Sequence, residues 1–239
     1  MKIFKKQGLI ISKTRIRATS LIVRAFCEDG TIVSLLFKGA LSSHKGDSTS
    51  KYLLPYALLE FIYYEKETRQ VQTASTVSII EDFPAARMDY ETQLVGAKFL
   101  KRATSLIKQG QAYPEIFDIT LALFRNWQRS KKVPDDTIWA GFLLKILTFA
   151  GFSPAIDRCA ICQGQLSERN LAFSPSAGGI VCGKCQKPDD SIPISKNIFK
   201  TLQYLLGNPF PKYDKANITP QEQAKIKELM EKFWLYHIG

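Results

Sequence analysis

Histidine is scarce in this chain of 239 residues, which has only His44 and His237. A serine or cysteine nucleophile that depends on a histidine base is therefore not expected. Glycine-rich phosphate loops, the dinucleotide fingerprint and the histidine motifs of zinc proteases and deaminases are also missing. Adjacent acidic residues occur, but such pairs are more often helix-dipole partners or solvated charges than metal ligands. We therefore expect a protein that binds and is not an enzyme.

Long hydrophobic runs are absent as well. The longest, Trp139 to Phe152, is interrupted by Lys145 and falls short of the roughly 20 residues that span a bilayer. The basic amino terminus returns to charge after a few apolar positions and lacks a small-residue cleavage site. We expect a cytoplasmic protein without a membrane segment, whose five cysteines stay reduced.

Positive charge is plentiful and unevenly spread. The formal net charge is +11, and residues 1–51 contribute +7 of it through seven Lys and three Arg against three acidic residues. A surplus concentrated in about one fifth of the chain indicates an electropositive surface for a polyanion. A basic face that serves only solubility is the alternative that charge alone leaves open.

The first 80 residues have the pattern of short strands separated by turns. Val, Ile, Thr, Phe and Tyr are frequent in segments 8–11, 19–26, 31–37, 56–64 and 71–80. Asp29 and Gly30 between two of these segments indicate a hairpin, because a two-residue primed turn requires positive φ. Five short strands predict a small closed barrel of the OB-fold type, and an SH3-like barrel fits the strand count almost as well.

Helical periodicity replaces strand alternation after Asp82. Apolar residues recur at helical spacing in segments 93–107, 116–127 and 138–149, and two more helices are expected at 195–206 and 220–236. Asp135 and Thr219 are the expected N-caps of two of these helices, the second with Glu222 in capping-box register.

Four of the five cysteines form two C-x2-C pairs, Cys159 with Cys162 and Cys182 with Cys185, separated by nineteen residues. This spacing is typical of a tetrahedral zinc site built from two knuckles, and four thiolates leave the metal no open position for catalysis. One structural Zn²⁺ is therefore expected; unliganded thiols, labile disulfides and an iron–sulfur cluster are the alternatives. Cys27, alone in a predicted strand, is expected to be a small buried residue.

These patterns together predict an α+β multidomain protein. The expected order is a five-stranded OB-fold barrel at 1–80, an all-α helical domain at 81–158, a four-cysteine zinc module at 159–190, and C-terminal helices at 191–239 that pack on the helical domain. The zinc module is thereby inserted in the helical part of the chain.

Three stretches resemble the family of the bacterial recombination mediator RecO. They are G-L-I-I-S-K-T-R at 8–15, F-K-G-A at 37–40, and the cysteine pairs with F-S-P-S-A-G-G-I-V-C at 173–182. The resemblance implies an OB-fold, a helical domain and a structural zinc module. It also implies a non-enzymatic, nucleoid-associated protein that binds single- and double-stranded DNA, anneals complementary strands and works with RecR to load RecA onto strands coated by single-strand-binding protein.

Candidate DNA contacts are the cations of the first 51 residues. Lys38 matches the family's K-G-A, and Lys45 and Lys51 lie in the polar segment 39–54, which we expect to be an exposed binding loop or a mobile connection. Because Ala40 to Ser43 separates this motif from the next cation, we expect the cations of the strands to contribute more: Lys5, Lys6, Lys13, Arg15, Arg17 and Arg24. Candidates for base stacking are Phe4, Tyr52, and Tyr63 or Tyr64.

The resemblance also implies docking of the acidic, Phe-ending tail of single-strand-binding protein, which would need an apolar cleft rimmed by cations. Lys98, Lys101 and Arg102 on the predicted helix 93–107 are the candidates, since 98 and 102 share a helix face. The solvated side of a helix is the alternative interpretation of these residues. A zinc-ribbon protein that binds RNA or assists transcription is the alternative function, and a hydrolase with metal-binding acids is a third.

Overall fold

The computed structural model describes residues 2–16, 18–42, 49–66, 68–108 and 111–239, with the backbone alone for Asp214. Arg17, Lys45 and part of the predicted 39–54 loop lie outside these ranges. The chain folds into two compact units, Met1–Val133 and Pro134–Gly239. Within the described ranges, no helix is long and apolar enough to cross a membrane.

Five strands of the first unit close into a barrel with the order β1-β2-β3-β5-β4. Only β3 and β5 pair in parallel, and the other neighbours are antiparallel. The predicted OB-fold is therefore confirmed. The strands are β1 (Lys2–Arg15), β2 (Leu21–Cys27), β3 (Ile32–Phe37), β4 (Ala57–Glu65) and β5 (Val71–Asp82), and a 3-10 turn at Thr49–Tyr52 precedes β4.

Strand β1 is longer than its apolar pattern predicted, because it has two partners. Its residues from Lys2 to Leu9 pair with β4, and those from Gly8 to Arg15 pair with β2, with a bulge between Ile10 and Ser12. Both ends of β1 are rich in exposed cations, so the apolar signal covers only the shared middle. A strand shared in this way closes the sheet and removes its open edges.

Alternation along the strands decides which side chains enter the barrel. Cys27 is fully buried inside, as predicted, and burial raises the pKa of its thiol to about 12. Tyr63 also points inward and is fully buried, with its ring stacked on Phe4 at 5.9 Å between centroids. The prediction of base stacking is therefore wrong for Tyr63, because the period of two sends it into the core.

A hairpin joins β2 to β3 at Asp29 and Gly30, as predicted, but its turn is not of the predicted primed type, because Gly30 has positive φ and Asp29 does not. Gly30 has a φ of +78°, and a Cβ there would lie 2.2 Å from the backbone of Tyr113, so only glycine fits. The Asp29 carboxylate accepts hydrogen bonds from the backbone N–H and the hydroxyl of Thr31, at 3.2 and 2.7 Å. The turn thus sets the β2–β3 register and also receives the chain segment that precedes the second helix.

Two helices pack on the outside of the barrel, α1 (Tyr90–Ser105) and α2 (Pro114–Ser130), after a 3-10 turn at Pro84–Arg87. Phe26 of β2 points outward and is buried by Phe117 of α2, edge to face, with centroids 5.3 Å apart. Tyr56 stacks on Phe124 of α2 at 5.6 Å, and its hydroxyl donates to the Gln93 carbonyl of α1 at 2.6 Å. Helix α2 therefore buries Phe26, although this side chain points out of the barrel.

Three helices organise the second unit. Helix α3 (Asp136–Phe149) packs against α4 (Lys196–Gly207) and α5 (Pro220–His237), with a 3-10 turn at Phe210–Lys215. The predicted caps are present: the Asp135 carboxylate accepts from the Ile138 N–H at 2.9 Å, and Thr219 forms a capping box with Glu222.

The one charged residue in the apolar run of α3 has a specific partner. Burial lowers the pKa of Lys145, and its Nζ donates to the Leu206 carbonyl at 3.0 Å. Leu206 lies in the last turn of α4, where unpaired carbonyls favour a cation. Lys145 therefore stabilises the α3–α4 packing and does not interrupt it.

Sequence analysis did not predict three very short strands in the second unit. They are β6 (Ala172–Ser174), β7 (Gly179–Val181) and β8 (Ile192–Pro193), which form a sheet in the order β7-β6-β8. Strands of two or three residues are too short to show alternation.

The helices divide between the two units. Helices α1 and α2 belong to the barrel unit, whereas α3 packs with the C-terminal helices. The boundaries predicted after residues 80, 158 and 190 follow changes in secondary structure and cysteine content, and the compact units follow packing. The four-part division stays a prediction.

Phe124→Ala should lower the free energy of unfolding of the first unit by about 3–5 kcal/mol, because it removes a fully buried ring that stacks on three others. Urea unfolding followed by circular dichroism measures the change. Met88→Ala, at a side chain 74% exposed in the same unit, is the control and should change stability by at most about 0.5 kcal/mol. Equal effects of the two substitutions would contradict this packing.

Candidate metal centre and candidate nucleic-acid interface

The two predicted cysteine pairs meet in the second unit. All four Sγ atoms lie within 4.8 Å of one another. The distance is 3.9 Å from Cys159 to Cys185 and from Cys162 to Cys182, and 3.6 Å from Cys182 to Cys185. A disulfide needs about 2.05 Å, so the four residues are free thiols in this structure. Their arrangement could hold one metal ion.

Backbone turns and strand β7 bring the two pairs together. The Cys159 N–H donates to the Gly164 carbonyl and the Gln163 N–H donates to the Cys159 carbonyl, both at 3.0 Å, so the first pair curls into a knuckle. The Ala160 N–H donates to the Ile180 carbonyl of β7 at 2.7 Å. Cys182 follows β7 directly, and its N–H donates to the Cys159 Sγ at 3.4 Å.

The thiols of the cluster have unequal affinities for protons. Burial raises the pKa of Cys159, but hydrogen bonds from the backbone of Cys162, Cys182 and Ile161 outweigh burial and lower this pKa to about 6. Hydrogen bonds with the thiols of Cys162 and Cys182 raise the pKa of Cys185 to about 12. Four sulfurs this close cannot all be thiolates unless a cation neutralises them, which is the chemistry of a metal site.

The F-S-P-S-A-G-G motif at 173–179 forms a hydrogen-bonded turn between the two cysteine pairs. The Asp190 carboxylate accepts hydrogen bonds from the hydroxyls of Ser174 and Ser176 at 2.6 and 2.8 Å, and from the Ser176 N–H at 2.7 Å. Burial raises the pKa of Asp190, but these bonds outweigh burial and lower it. Gly179 has a φ of +150°, and a Cβ there would lie 2.4 Å from the Ala155 carbonyl oxygen. The motif therefore specifies the turn that leads into β7.

Two of the predicted DNA contacts, Lys5 and Lys6, are ion-paired within the barrel. Lys5 Nζ lies 2.9 Å from the Glu60 carboxylate. Lys6 Nζ donates to Asp29 at 2.6 Å; burial alone lowers the Lys6 pKa, but the bond to Asp29 outweighs it and the pKa is raised. Both lysines join β1 to neighbouring elements.

The other predicted cations that the structure describes in the first unit are exposed and differ in their partners. Lys13 Nζ donates to the Leu53 carbonyl at 3.1 Å, and Arg15 Nη2 donates to the Ala18 carbonyl at 2.7 Å. Lys51 Nζ lies 5.0 Å from the ring centroid of Tyr52, and Lys38 is exposed at the end of β3. Arg24 is exposed at the middle of β2, opposite Ser12 of β1 and Ser34 of β3 in the strand register.

An open cavity of about 610 Å³ lies between the outer face of β1 and β2 and one side of α1. Its walls are mainly apolar, with Ile10, Leu100 and Ile107 among them. Three cations also line it, Lys13, Arg24 and Lys101. We call this space the apolar cavity.

A second open cavity, of about 520 Å³, continues along the same outer face. Arg24, Ile32 and Ile107 line both cavities, and the second has more polar walls, including Thr31, Ser34 and Gln70. We call this space the polar cavity and the two together the trough. Among the described residues that line the trough, none is acidic. Arg24 stands at the junction of its two halves.

The structure separates the three candidates for tail docking. Lys101 lines the apolar cavity, whereas Lys98 and Arg102 lie on α1 but are not among its lining residues. The face of α1 that turns to the barrel runs through Ala97, Lys101 and Thr104. The cavity therefore contains one of the three candidates, and tail docking by any of them stays a prediction.

Sequence analysis missed Lys108 and Gln70, which line the polar cavity. Both lie outside the first 51 residues, where the charge surplus is concentrated. The polar segment after α1 could have suggested Lys108, but only the folded barrel shows that this segment lies beside β2 and β3.

Comparison with known proteins identifies the family. A family model described as "Recombination protein O N terminal" matches residues 1–83, and one described as "Recombination protein O C terminal" matches residues 87–239. The chain belongs to the recombination protein O family. The resemblance to RecO seen in three motifs is thereby confirmed. The junction between the two RecO matches falls between the end of β5 and the start of α1.

Curated RecO proteins are similar to the chain over most of its length. A protein named DNA repair protein RecO from Alkaliphilus metalliredigens is 22% identical over 237 residues, covering 99% of this chain and 94% of that protein. Its namesake from Dehalococcoides mccartyi is 26% identical over 227 residues, covering 94% and 86%. A third, from Desulfatibacillum aliphaticivorans, is 25% identical over 224 residues, covering 92% and 86%.

Asp190→Asn should destabilise the second unit by about 1.5–3 kcal/mol, because an amide cannot accept at both positions that the carboxylate uses. Since the folded-state pKa is lowered below the ordinary 3.8, the wild-type advantage is complete above about pH 5 and is lost as the pH falls through the folded-state value. Urea unfolding at a series of pH values measures it. Asp189→Asn, at the exposed neighbour, is the control; an equal effect of both substitutions would contradict the assignment.

Proposed function

We propose that this RecO-family protein is a non-enzymatic mediator of DNA repair that binds single-stranded DNA in the polar half of the trough, starting at Arg24. The observation that carries the proposal is the set of cations around Arg24, with no acidic residue among the described lining residues. Proteins that hold single strands without sequence preference combine such a cationic groove with surfaces for the bases. The surplus of positive charge in residues 1–51 supports the same proposal.

Arg24 is the cation best placed to bind a phosphate in the trough. A guanidinium offers a planar fork of donors that matches two phosphate oxygens. Within the described residues, Arg24 has no carboxylate partner, whereas Lys5 and Lys6 are paired with Glu60 and Asp29. Ile32 and Ile107 beside Arg24 supply apolar walls against which bases can lie.

The finer activities are proposed from family membership. A groove that reads no base edges accepts either of two complementary strands, so it can bring them together for annealing without a nucleotide cofactor. The same reasoning extends to double-stranded DNA, whose phosphates are more closely spaced along the helix axis and therefore attract cations more strongly. We further propose that the protein acts in the cytoplasm at the nucleoid, with RecR, to load RecA onto strands coated by single-strand-binding protein.

The apolar cavity is the proposed dock for the tail of single-strand-binding protein. An acidic peptide that ends in Phe needs an apolar recess for the ring and cations for its carboxylates. Ile10 and Leu100 line such a recess, and Lys13 and Lys101 stand in its walls. Lys98 and Arg102 are proposed to interact with the acidic part of the peptide from the adjacent face of α1.

Zinc is the metal that we propose for the cysteine cluster. Zn–S bonds of about 2.3 Å in a tetrahedron place the sulfurs about 3.8 Å apart, and three of the distances here are 3.6, 3.9 and 3.9 Å. One Zn²⁺ held by Cys159, Cys162, Cys182 and Cys185 has no open position. Its proposed role is to join the two knuckles and thereby to stabilise the fold.

Arg24→Gln should flatten the dependence of single-strand affinity on salt by about 0.7, the slope expected for one lost phosphate contact. Fluorescence anisotropy of a labelled oligonucleotide at several salt concentrations measures the slope. Lys5→Gln removes the same charge from a lysine paired with Glu60 and should leave the slope as in the wild type.

The same variants decide the proposed activity. Annealing of complementary strands coated by single-strand-binding protein, with no nucleotide present, should be rapid with the wild type and with Lys5→Gln and slower with Arg24→Gln. Unchanged annealing by Arg24→Gln would remove the trough from the DNA interface. Preference for a hairpin RNA over single-stranded DNA of equal length, or Mg²⁺-dependent cleavage of DNA, would overturn the mediator proposal itself.

Removal of zinc should lower the stability of the second unit and leave the salt slope of DNA binding unchanged, because the metal ligands and the trough belong to different units. Elemental analysis of protein purified without chelator should give one zinc per chain. Cys182→Ser should lower the melting temperature and the zinc content together. Absence of zinc, with all thiols freely titratable, would contradict the proposal.

A further inference from the structure

The Gln72 side chain joins Lys66 and Arg69, the described residues on either side of the turn between β4 and β5. The Gln72 Oε1 accepts from the Lys66 N–H at 2.9 Å, and its Nε2 donates to the Arg69 and Lys66 carbonyls at 2.6 and 3.2 Å. The Arg69 N–H also donates to the Lys66 carbonyl at 2.9 Å. These four bonds fix the backbone from which the two cations project.

A small cavity of about 150 Å³ lies between these cations. Lys66 and Arg69 line it together with the ring of Tyr64 and with Thr73. None of the described lining residues is acidic. Glu65 lies opposite Lys2 in the β1–β4 register and does not line the cavity, and Glu67 lies outside the described residues.

The hairpin continues the outer face on which the trough lies. Val71, directly after the hairpin, is paired with Ser34 of β3, and Gln70 and Ser34 both line the polar cavity. Arg24 of β2 is opposite Ser34 of β3, and Ser34 is opposite Val71 of β5. Two strand spacings, or about 10 Å in the direction of the ladder hydrogen bonds, therefore separate Arg24 from the end of the hairpin.

We propose that the β4–β5 hairpin is a second phosphate-binding site, which holds the sugar–phosphate backbone of a single strand as it leaves the polar cavity. This inference rests on the proposed function and assigns Lys66 and Arg69 to it. The two cations bind adjacent phosphates, and the Tyr64 ring offers a stacking surface for the intervening base. Because Gln72 fixes the backbone of Lys66 and Arg69 in advance, little conformational entropy of these two residues is lost when the strand binds.

The double variant Lys66→Gln/Arg69→Gln tests the site with oligothymidylates of about 4 and about 16 nucleotides, which span the range of strand lengths held by one OB-fold. With the long strand, we expect the salt slope to flatten by about 1.4, which corresponds to two phosphate contacts on a single strand. With the short strand, which the trough alone can hold, we expect affinity within about twofold of the wild type.

Two further variants serve as controls. Lys66→Arg/Arg69→Lys exchanges the cations and should keep the slope of the wild type, which shows that charge is responsible. Lys225→Gln/Lys232→Gln removes the same net charge from α5 and should also keep it. Thermal unfolding verifies that every variant is folded.

The outcomes separate this inference from the proposed function. A flatter slope only for the long strand and only in the double glutamine variant supports the hairpin site. If Arg24→Gln flattens the slope and the double glutamine variant does not, the trough binds DNA and the hairpin site is wrong. If the wild type itself fails to bind either strand, the proposed function fails first.

Discussion

The double pairing of β1 is the constraint on which the first unit depends. Because its first half pairs with β4 and its second half with β2, the sheet closes on itself and every strand has one inward and one outward face. The inward face is filled by apolar side chains. On the outward face, helices α1 and α2 cover residues such as Phe26 and Tyr56, and they leave Arg24 exposed beside them. The trough is thus the part of the outer face that helix packing leaves open.

Closure of the barrel also divides the cations into two groups. Lys6 is drawn towards the Asp29 turn, and Lys5 is held by Glu60, so both contribute to the barrel itself. Surface ion pairs of this kind contribute little to stability, but the carboxylate of each pair neutralises a lysine that would otherwise attract a phosphate. Arg24, by contrast, is flanked by serines across the sheet. A basic segment is therefore not uniformly a binding surface, since strand pairing decides which cations remain available.

Much of the fold could be predicted from local patterns. The hairpin at Asp29–Gly30 and the Asp135 and Thr219 caps depend on chemistry within a few residues, and the structure confirms their positions. The two C-x2-C pairs also meet as their spacing predicted, in a cluster that could hold a metal ion. The full length of β1 could not be predicted, because exposed cations interrupt the alternation of apolar residues at both of its ends. The positions of Lys101 and Lys108 beside Arg24 depend on how α1 docks on the barrel, and no sequence spacing encodes that distance. Tyr63 and Tyr64 show the same limit, since one residue of register decides which ring enters the core.

The F-S-P-S-A-G-G motif of the second unit, which is part of the resemblance to RecO, has a structural role. The serines and glycines between the cysteine pairs form a turn around Asp190. This turn places β7 and Cys182 next to the first cysteine pair. So short a segment cannot form a large apolar core. Hydrogen bonds to Asp190 and the clustered sulfurs of the four cysteines hold it together instead.

Photochemical cross-linking of a single strand containing 4-thiothymidine, followed by mass spectrometry of the peptides, tests the central claim most directly. The account predicts cross-links in β2 and β3, at residues 21–37, and in the segment that follows α1. Cross-links confined to the second unit, or to the half of β1 that carries Lys5 and Lys6, would contradict it.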